Sequence, residues 1–150
     1  MEAVSVVKFR LVLTVAMLVT ALLGGCTFES RNPPTSQTLR VSMDDVLRLS
    51  VIKQTITLAV GNTLTIELGS NYSTPYRWTA DTEIGDSTIV KQTGHEFVQP
   101  TTDAMGAPGT QVWTFEVLKP GTTTITTKYT SFVGGDTTPK CTYVATVKVQ

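Results

Sequence analysis

The chain has 150 residues with 12 basic and 12 acidic side chains, so it is formally neutral with a pI near 6.6. That length is one domain, or one domain and a tail, and neutrality without any long like-charge run argues against the clustered basic surface that nucleic acid requires. One His and two Cys leave little for a metal cage or a catalytic triad, which disfavours a hydrolase or a metalloenzyme and gives no reason to expect a cofactor.

Lys8 and Arg10 open the chain with positive charge, and residues 11–23 follow without any charge, mostly Leu, Val and Ala. A bilayer core of roughly 30 Å needs about 20 apolar residues. This run is too short to span it and has the length of a secretory h-region. It closes on Leu23-Gly24-Gly25-Cys26, which resembles a bacterial lipobox, where small residues precede a Cys that takes a lipid and becomes the mature N-terminus. The plainer alternative is an ordinary signal peptide cut nearby, with Cys26 incidental. Residues 1–25 are read as a lipoprotein signal peptide and Cys26 as the lipidation site. Acyl chains there tie the protein to a membrane, since each buried CH₂ contributes about 0.8 kcal/mol. The expected location is the bacterial cell envelope, outside the cytoplasm. Thr27 differs from the Asp that retains such proteins at the inner membrane of double-membraned bacteria.

Residues 26–48 read as a tether. They carry Asn32-Pro33-Pro34-Thr35-Ser36-Gln37-Thr38, where adjacent prolines and small polar residues favour an extended chain. Residues 44–49 suggest one short helical turn. From residue 49 to 150 the pattern changes to period two. Ile52, Ile56, Leu58 and Val60 alternate with Lys53, Thr55, Thr57 and Ala59. The Gly61-Asn62 turn leads to Leu64, Ile66 and Leu68 alternating with Thr63, Thr65 and Glu67. Strands are expected at 76–80, more weakly at 88–92 and 96–99, and then at 111–118, 122–130 and 141–149. Roughly one residue in five is Thr, a composition that suits strands. About seven strands with frequent turns point to an all-β sandwich or barrel. A domain of this size buries enough apolar surface to fold without disulfides.

Cys141 shares a strand face with Tyr143, Ala145, Val147 and Val149, which reads as a buried thiol acting as a small hydrophobe. A catalytic thiol needs a base beside it, and His95 is the only His, set in a weak segment between polar residues. Trp78, Trp113 and Phe115 read as core. Alternation places three connections at one end of the sandwich: 69–75, 100–109 and 131–140. They are long and rich in Gly, Pro, Ser and Thr, and none carries paired carboxylates, a phosphate-binding turn or a ligand cluster. Loops on a rigid frame are contact surfaces.

The first connection, Asn71-Tyr72-Ser73-Thr74-Pro75-Tyr76-Arg77-Trp78, resembles the Asn-Pro-Thr-Thr-Gly-Tyr/Phe-x-Trp signature of the chagasin family, protein inhibitors of papain-like cysteine proteases. Asn71, Thr74, Tyr76 and Trp78 match, and Ser73 is a close substitute. Tyr72 stands where the family has Pro, and Pro75 where it has Gly. The family's Gly-x-Gly-Gly motif is matched in its outer positions by Gly106-Ala107-Pro108-Gly109, leading into Trp113-Thr114-Phe115. The third motif, Arg-Pro-Trp after a Tyr, is missing, because Tyr129 is followed by Thr130-Ser131-Phe132-Val133.

The resemblance spans roughly residues 50–150 and implies an immunoglobulin-like antiparallel β-sandwich whose three loops wedge into a protease cleft. Asn71, Tyr72, Ser73, Thr74, Pro75, Gly106, Ala107, Pro108 and Gly109 would then contact the protease, with Phe132 as an aromatic anchor replacing the family's Trp. Ser73 and Thr74 would hydrogen-bond to polar groups of the catalytic site, and Asn71 would cap its own loop from within. The partner implied is a papain-like cysteine protease, met by a lipid-anchored, monomeric, non-enzymatic inhibitor. The alternative is a non-catalytic envelope lipoprotein that uses the same sandwich for adhesion or assembly, since fold alone does not set function.

Overall fold

The computed structural model describes residues 33–150. The signal peptide, the lipobox and Cys26 lie outside the described residues. The elements follow in the order β1 (Ser36–Val41), α1 (Met43–Arg48), β2 (Val51–Leu58), β3 (Thr63–Ser70), β4 (Tyr76–Trp78), β5 (Glu83–Ile84), β6 (Val90–Val98), β7 (Gly109–Val117), β8 (Gly121–Ser131) and β9 (Cys141–Val149). They make an immunoglobulin-like β-sandwich. One sheet has the order β1-β3-β7-β6 and the other β2-β9-β8-β4, with β5 also paired to β8.

Alternation decides which face is buried. Leu64, Ile66 and Leu68 of β3 and Trp113, Phe115 and Val117 of β7 point inward from one sheet. Ile125 and Tyr129 of β8 and Cys141, Tyr143, Ala145, Val147 and Val149 of β9 meet them from the other. Trp78 and Trp113 pack edge to face with centroids 6.4 Å apart. Each buried indole N–H finds a carbonyl, Trp78 Nε1 donating to Gly69 O and Trp113 Nε1 to Ala80 O, both at 2.9 Å. Neither ring therefore carries an unsatisfied donor into the core.

Several expectations are corrected. The tether read through residue 48 is, from Ser36 onward, part of the fold. β1 pairs with β3 and is clasped by the ion pair of Arg40 with Glu67. α1 starts on the cap Ser42, whose Oγ accepts from Asp45 N, and it buries Val46 completely. Only Leu39 and Val41 of β1 are packed on the core, so an edge strand this polar reads as loop. The antiparallel pairing also fails at two places: β1 runs parallel to β3, and β2 parallel to β9. Period two reports the buried face and is silent about the direction of the neighbour. Finally, the weak segments 88–92 and 96–99 form one strand, β6, interrupted by a bulge between Gln92 and Gly94. The bulge breaks the alternation there.

The register places the connections β3–β4, β6–β7 and β8–β9 at one pole. Ser70 opposes Gly109, Val98 opposes Thr110, and Tyr76 opposes Ser131. α1 closes the same pole, with Met43 against Gly69. Thr35 joins the fold at the other pole, where its N–H donates to Asn62 Oδ1 and its carbonyl accepts from Thr63 N.

Candidate functional site

The first loop is built around Asn71. Its carbonyl accepts from Thr74 N (3.1 Å) and Thr74 Oγ1 (2.8 Å), closing a four-residue turn. Its side-chain Oδ1 accepts from Ser73 N (3.0 Å) and Ser73 Oγ (2.7 Å), the internal capping expected of Asn. Its Nδ2 then donates to Gly106 O at 2.9 Å, which ties the first loop to the second. Phe132 N donates to Pro75 O at 3.0 Å, which ties the third loop to the first. Asn71 N donates to Tyr129 OH, so the turn also rests on the core.

The hydroxyls of Ser73 and Thr74 are already committed as donors. Ser73 gives its proton to Asn71 Oδ1. Thr74 gives its proton to Asn71 O and accepts from Tyr76 N at 3.4 Å. Both keep acceptor capacity for an outside donor. Towards any outside group they are therefore acceptors, which narrows the general hydrogen-bonding role expected of them.

The second loop reaches its tip in a turn closed by Ala107 N donating to Ala104 O. Gly106 adopts φ +78, the conformation its place in the turn favours, and Met105 beside it is fully exposed. Pro108 is exposed and Ala107 half-buried. Gly109 is different, because it begins β7, is buried, and lies so close to the Phe97 ring that a Cβ would sit 2.5 Å from Cζ. Its side of the backbone is covered by that ring, so it supports the loop rather than presenting a surface.

Phe132 and its neighbour Val133 are each more than three-fifths exposed, at 63 % and 61 %. Phe132 thus projects from the frame, as an anchor requires. Tyr72, 42 % exposed, lies flat against the frame instead of standing clear of it. Its ring stacks on Phe97 at 3.7 Å and its hydroxyl donates to Gln111 Oε1, so the ring is turned towards β6 and β7. Three residues at this pole carry no pattern that singles them out in the sequence. Met105 is a lone Met in a polar loop, and Val133 simply follows Phe132. Arg77 occupies the unspecified position of the first motif, yet its guanidinium lies between the first and third loops.

Below the loops, Gln111 is buried and its Nε2 donates to His95 Nε2. Burial holds the His95 imidazole below its ordinary pKa, against a smaller opposing pull from Asp81. Cys141 is fully buried and burial pushes its thiol up, the reverse of what a nucleophile needs. Among the described residues no group of three or more His, Cys, Asp or Glu side chains is gathered to hold a metal ion. The pole offers shape, hydrogen-bond acceptors, two exposed apolar prongs and the cations of Arg77 and Lys140, the latter 5.4 Å from the Tyr76 ring centroid. Such a surface suits docking.

The family model of the chagasin family peptidase inhibitor I42 matches residues 57–147. No curated protein matches the chain. Among solved structures, the chain is similar to the cysteine protease inhibitor EhICP2 from Entamoeba histolytica, at 20 % identity and TM-score 0.61, covering 79 % of this chain and 100 % of that one. It is also similar to PbICP-C in complex with falcipain-2, at 21 % identity and TM-score 0.53, covering 77 % and 99 %. A third similar structure is that of amebosin, at 23 % identity and TM-score 0.50, covering 79 % and 100 %. Likenesses at these identities establish the shared fold.

Proposed function

The chain belongs to the chagasin family of peptidase inhibitors, and on that premise we propose that it inhibits papain-like cysteine proteases by filling the active-site cleft with the three loops of one pole. The observation that carries this reading is the pair of inter-loop hydrogen bonds, Asn71 Nδ2 to Gly106 O and Phe132 N to Pro75 O. Loops tied to one another before docking lose little conformational entropy on binding. EhICP2 is a cysteine protease inhibitor and PbICP-C is bound to falcipain-2, which supports the same class of partner here.

An inhibitor of this kind acts by occlusion and needs no catalytic group of its own. The turn at 71–74 is closed by its own hydrogen bonds, so a protease must break them to draw the backbone into an extended, cleavable form. Ser73 and Thr74 offer acceptors to donors in the cleft. Pro75 fixes its own φ and keeps Thr74 out of the helical region. Met105 on one side and Phe132 with Val133 on the other supply apolar contacts to the walls, and exposed aromatics are frequent binding hot spots.

The protein is further proposed to be a monomeric lipoprotein of the bacterial envelope, held outside the cytoplasm by acyl chains on Cys26. The position of Thr35 supports that arrangement. It lies at the pole opposite the loops, separated from them by the length of β3, roughly 25 Å for eight residues. The segment from Cys26 to Thr35 extends at most about 30 Å. The chain thus enters the fold at the pole away from the loops, which keeps the attachment point off the proposed contact surface.

The test is a titration of papain with the chain from Asn32 onward, which forms one compact unit. Loss of activity that reaches completion at one inhibitor per enzyme, with a nanomolar inhibition constant, is the expected result. Full activity at a large molar excess would remove the reading.

A further inference from the structure

The first and third loops depart from the family's motifs at Tyr72 and Phe132, and the guanidinium of Arg77 reaches both rings. The Tyr72 ring lies against Phe97 with centroids 3.7 Å apart and planes 7° from parallel. The Arg77 guanidinium carbon stands 3.9 Å from the Tyr72 centroid. A ring has two faces, and two partners this close must take one each. Arg77 therefore covers the face that Phe97 leaves open. The same guanidinium carbon is 4.9 Å from the Phe132 centroid. Phe97, Tyr72, Arg77 and Phe132 thus form a column across the pole.

The four members come from β6 beside the second loop, from the first loop, from β4, and from the third loop. Phe97 also covers Gly109, where the second loop ends. The edges of the guanidinium are used as well. Nη1 donates to Thr74 O and Tyr76 O, each at 2.7 Å, and Nη2 donates to Tyr72 O at 3.0 Å. The ion pairs among the described residues are Arg40–Glu67, Arg48–Asp45 and Lys128–Glu83. Arg77 therefore spends its charge on carbonyls and aromatic faces, a use that suits its planar fork and not an ammonium.

We infer that Arg77 is a positioning residue, and that the column it centres braces all three loops in docking shape in a chain whose third loop lacks the Arg-Pro-Trp motif. This rests on the proposed protease-inhibitor reading. In that reading the loss of the family's Pro at position 72 is compensated, because Tyr72 is held from both faces. Phe132 is braced on its Arg77 side and remains free to meet the partner on the rest of its surface.

The experiment compares the wild type, Arg77→Ala and Arg77→Lys, each from Asn32 onward, by amide hydrogen exchange and by inhibition of papain. The reporters are the N–H groups of Thr74 and Phe132, which donate within the first loop and between the first and third loops. In Arg77→Ala these two amides exchange at least about tenfold faster, while those of β3 and β9 and the melting temperature hold. The inhibition constant rises about thirtyfold, since the loops must be ordered at docking. Arg77→Lys keeps the charge, loses the fork and stays nearer to Ala than to wild type. Unchanged exchange at Thr74 and Phe132 in Arg77→Ala overturns the brace, and so does faster exchange with undiminished inhibition. A wild type that fails to inhibit, with loops that still loosen in Arg77→Ala, upholds the brace and rejects the protease reading.

Discussion

Replacing Asn71 by Ala removes three hydrogen bonds at once, two accepted by Oδ1 from Ser73 and one donated by Nδ2 to Gly106 O. All three are at the exposed end of the molecule, where water replaces much of what is lost. At about 0.7 kcal/mol each, in the lower half of the range of about 0.5–1.5 kcal/mol, the loss is about 2 kcal/mol. That loss divides between two observables. An exposed loop opens locally at low cost, so global stability falls only by the free energy that held the loop shut. The remainder appears when a partner requires the loop to close again. With about 0.6 kcal/mol in stability, the melting temperature falls by less than about 5 °C. With about 1.4 kcal/mol in docking, the inhibition constant rises about tenfold. The assay is paired thermal unfolding and inhibition of papain. Asn71→Asp separates the two accepted bonds from the donated one, because it keeps the acceptor for Ser73 and loses the donor to Gly106. An unchanged inhibition constant in Asn71→Ala, or a fall of more than about 10 °C in melting temperature, would refute the division on which this estimate is built.

Two further outcomes test other parts of the structure. At Gly69 an added Cβ would lie 2.4 Å from Met43 N and 2.5 Å from Met43 Cα, so Gly69→Ala must push α1 off β3. Overpacking of this kind costs about 1–3 kcal/mol, read as a lower melting temperature; no change would mean that residues 36–48 do not pack as described. His95, whose neutral ring accepts from Gln111, is held below its ordinary value of 6.5 by burial. The unfolded chain therefore takes up a proton first as pH falls. The contribution of neutral His95 to stability is complete above about pH 6.5 and is lost progressively below it. His95→Gln flattens the pH dependence of the melting temperature in that window, and an unaltered slope would exclude His95 as its source.

The strands most legible in the sequence are those whose inward positions are nearly all apolar, such as β9 with Cys141, Tyr143, Ala145, Val147 and Val149. β8 was legible through its length and its Thr-rich alternation, although it buries Thr123 and Thr127. β1 was not, because an edge strand needs only Leu39 and Val41 against the core and is otherwise as polar as a tether. Strand direction was also hidden, since alternation is identical in parallel and antiparallel pairs. At the loop pole the turn around Asn71 could be anticipated, because Asn bonds its own backbone locally. The column of Phe97, Tyr72, Arg77 and Phe132 could not. Its members are separated by up to 60 positions, and neither Phe97 nor Arg77 falls on a specified position of a family motif. Gly109, a motif match in the sequence, serves packing beneath Phe97 instead.

The most direct test of the loop pole as a protease plug is a hydrogen-exchange footprint of the complex with papain. Protection is predicted at residues 71–75, 104–108 and 131–134, with the turn at 59–62 and residue 35 exchanging as in the free protein. Protection confined to the pole of Thr35, or spread along the outer face of either sheet with the three loops unaffected, would contradict the account.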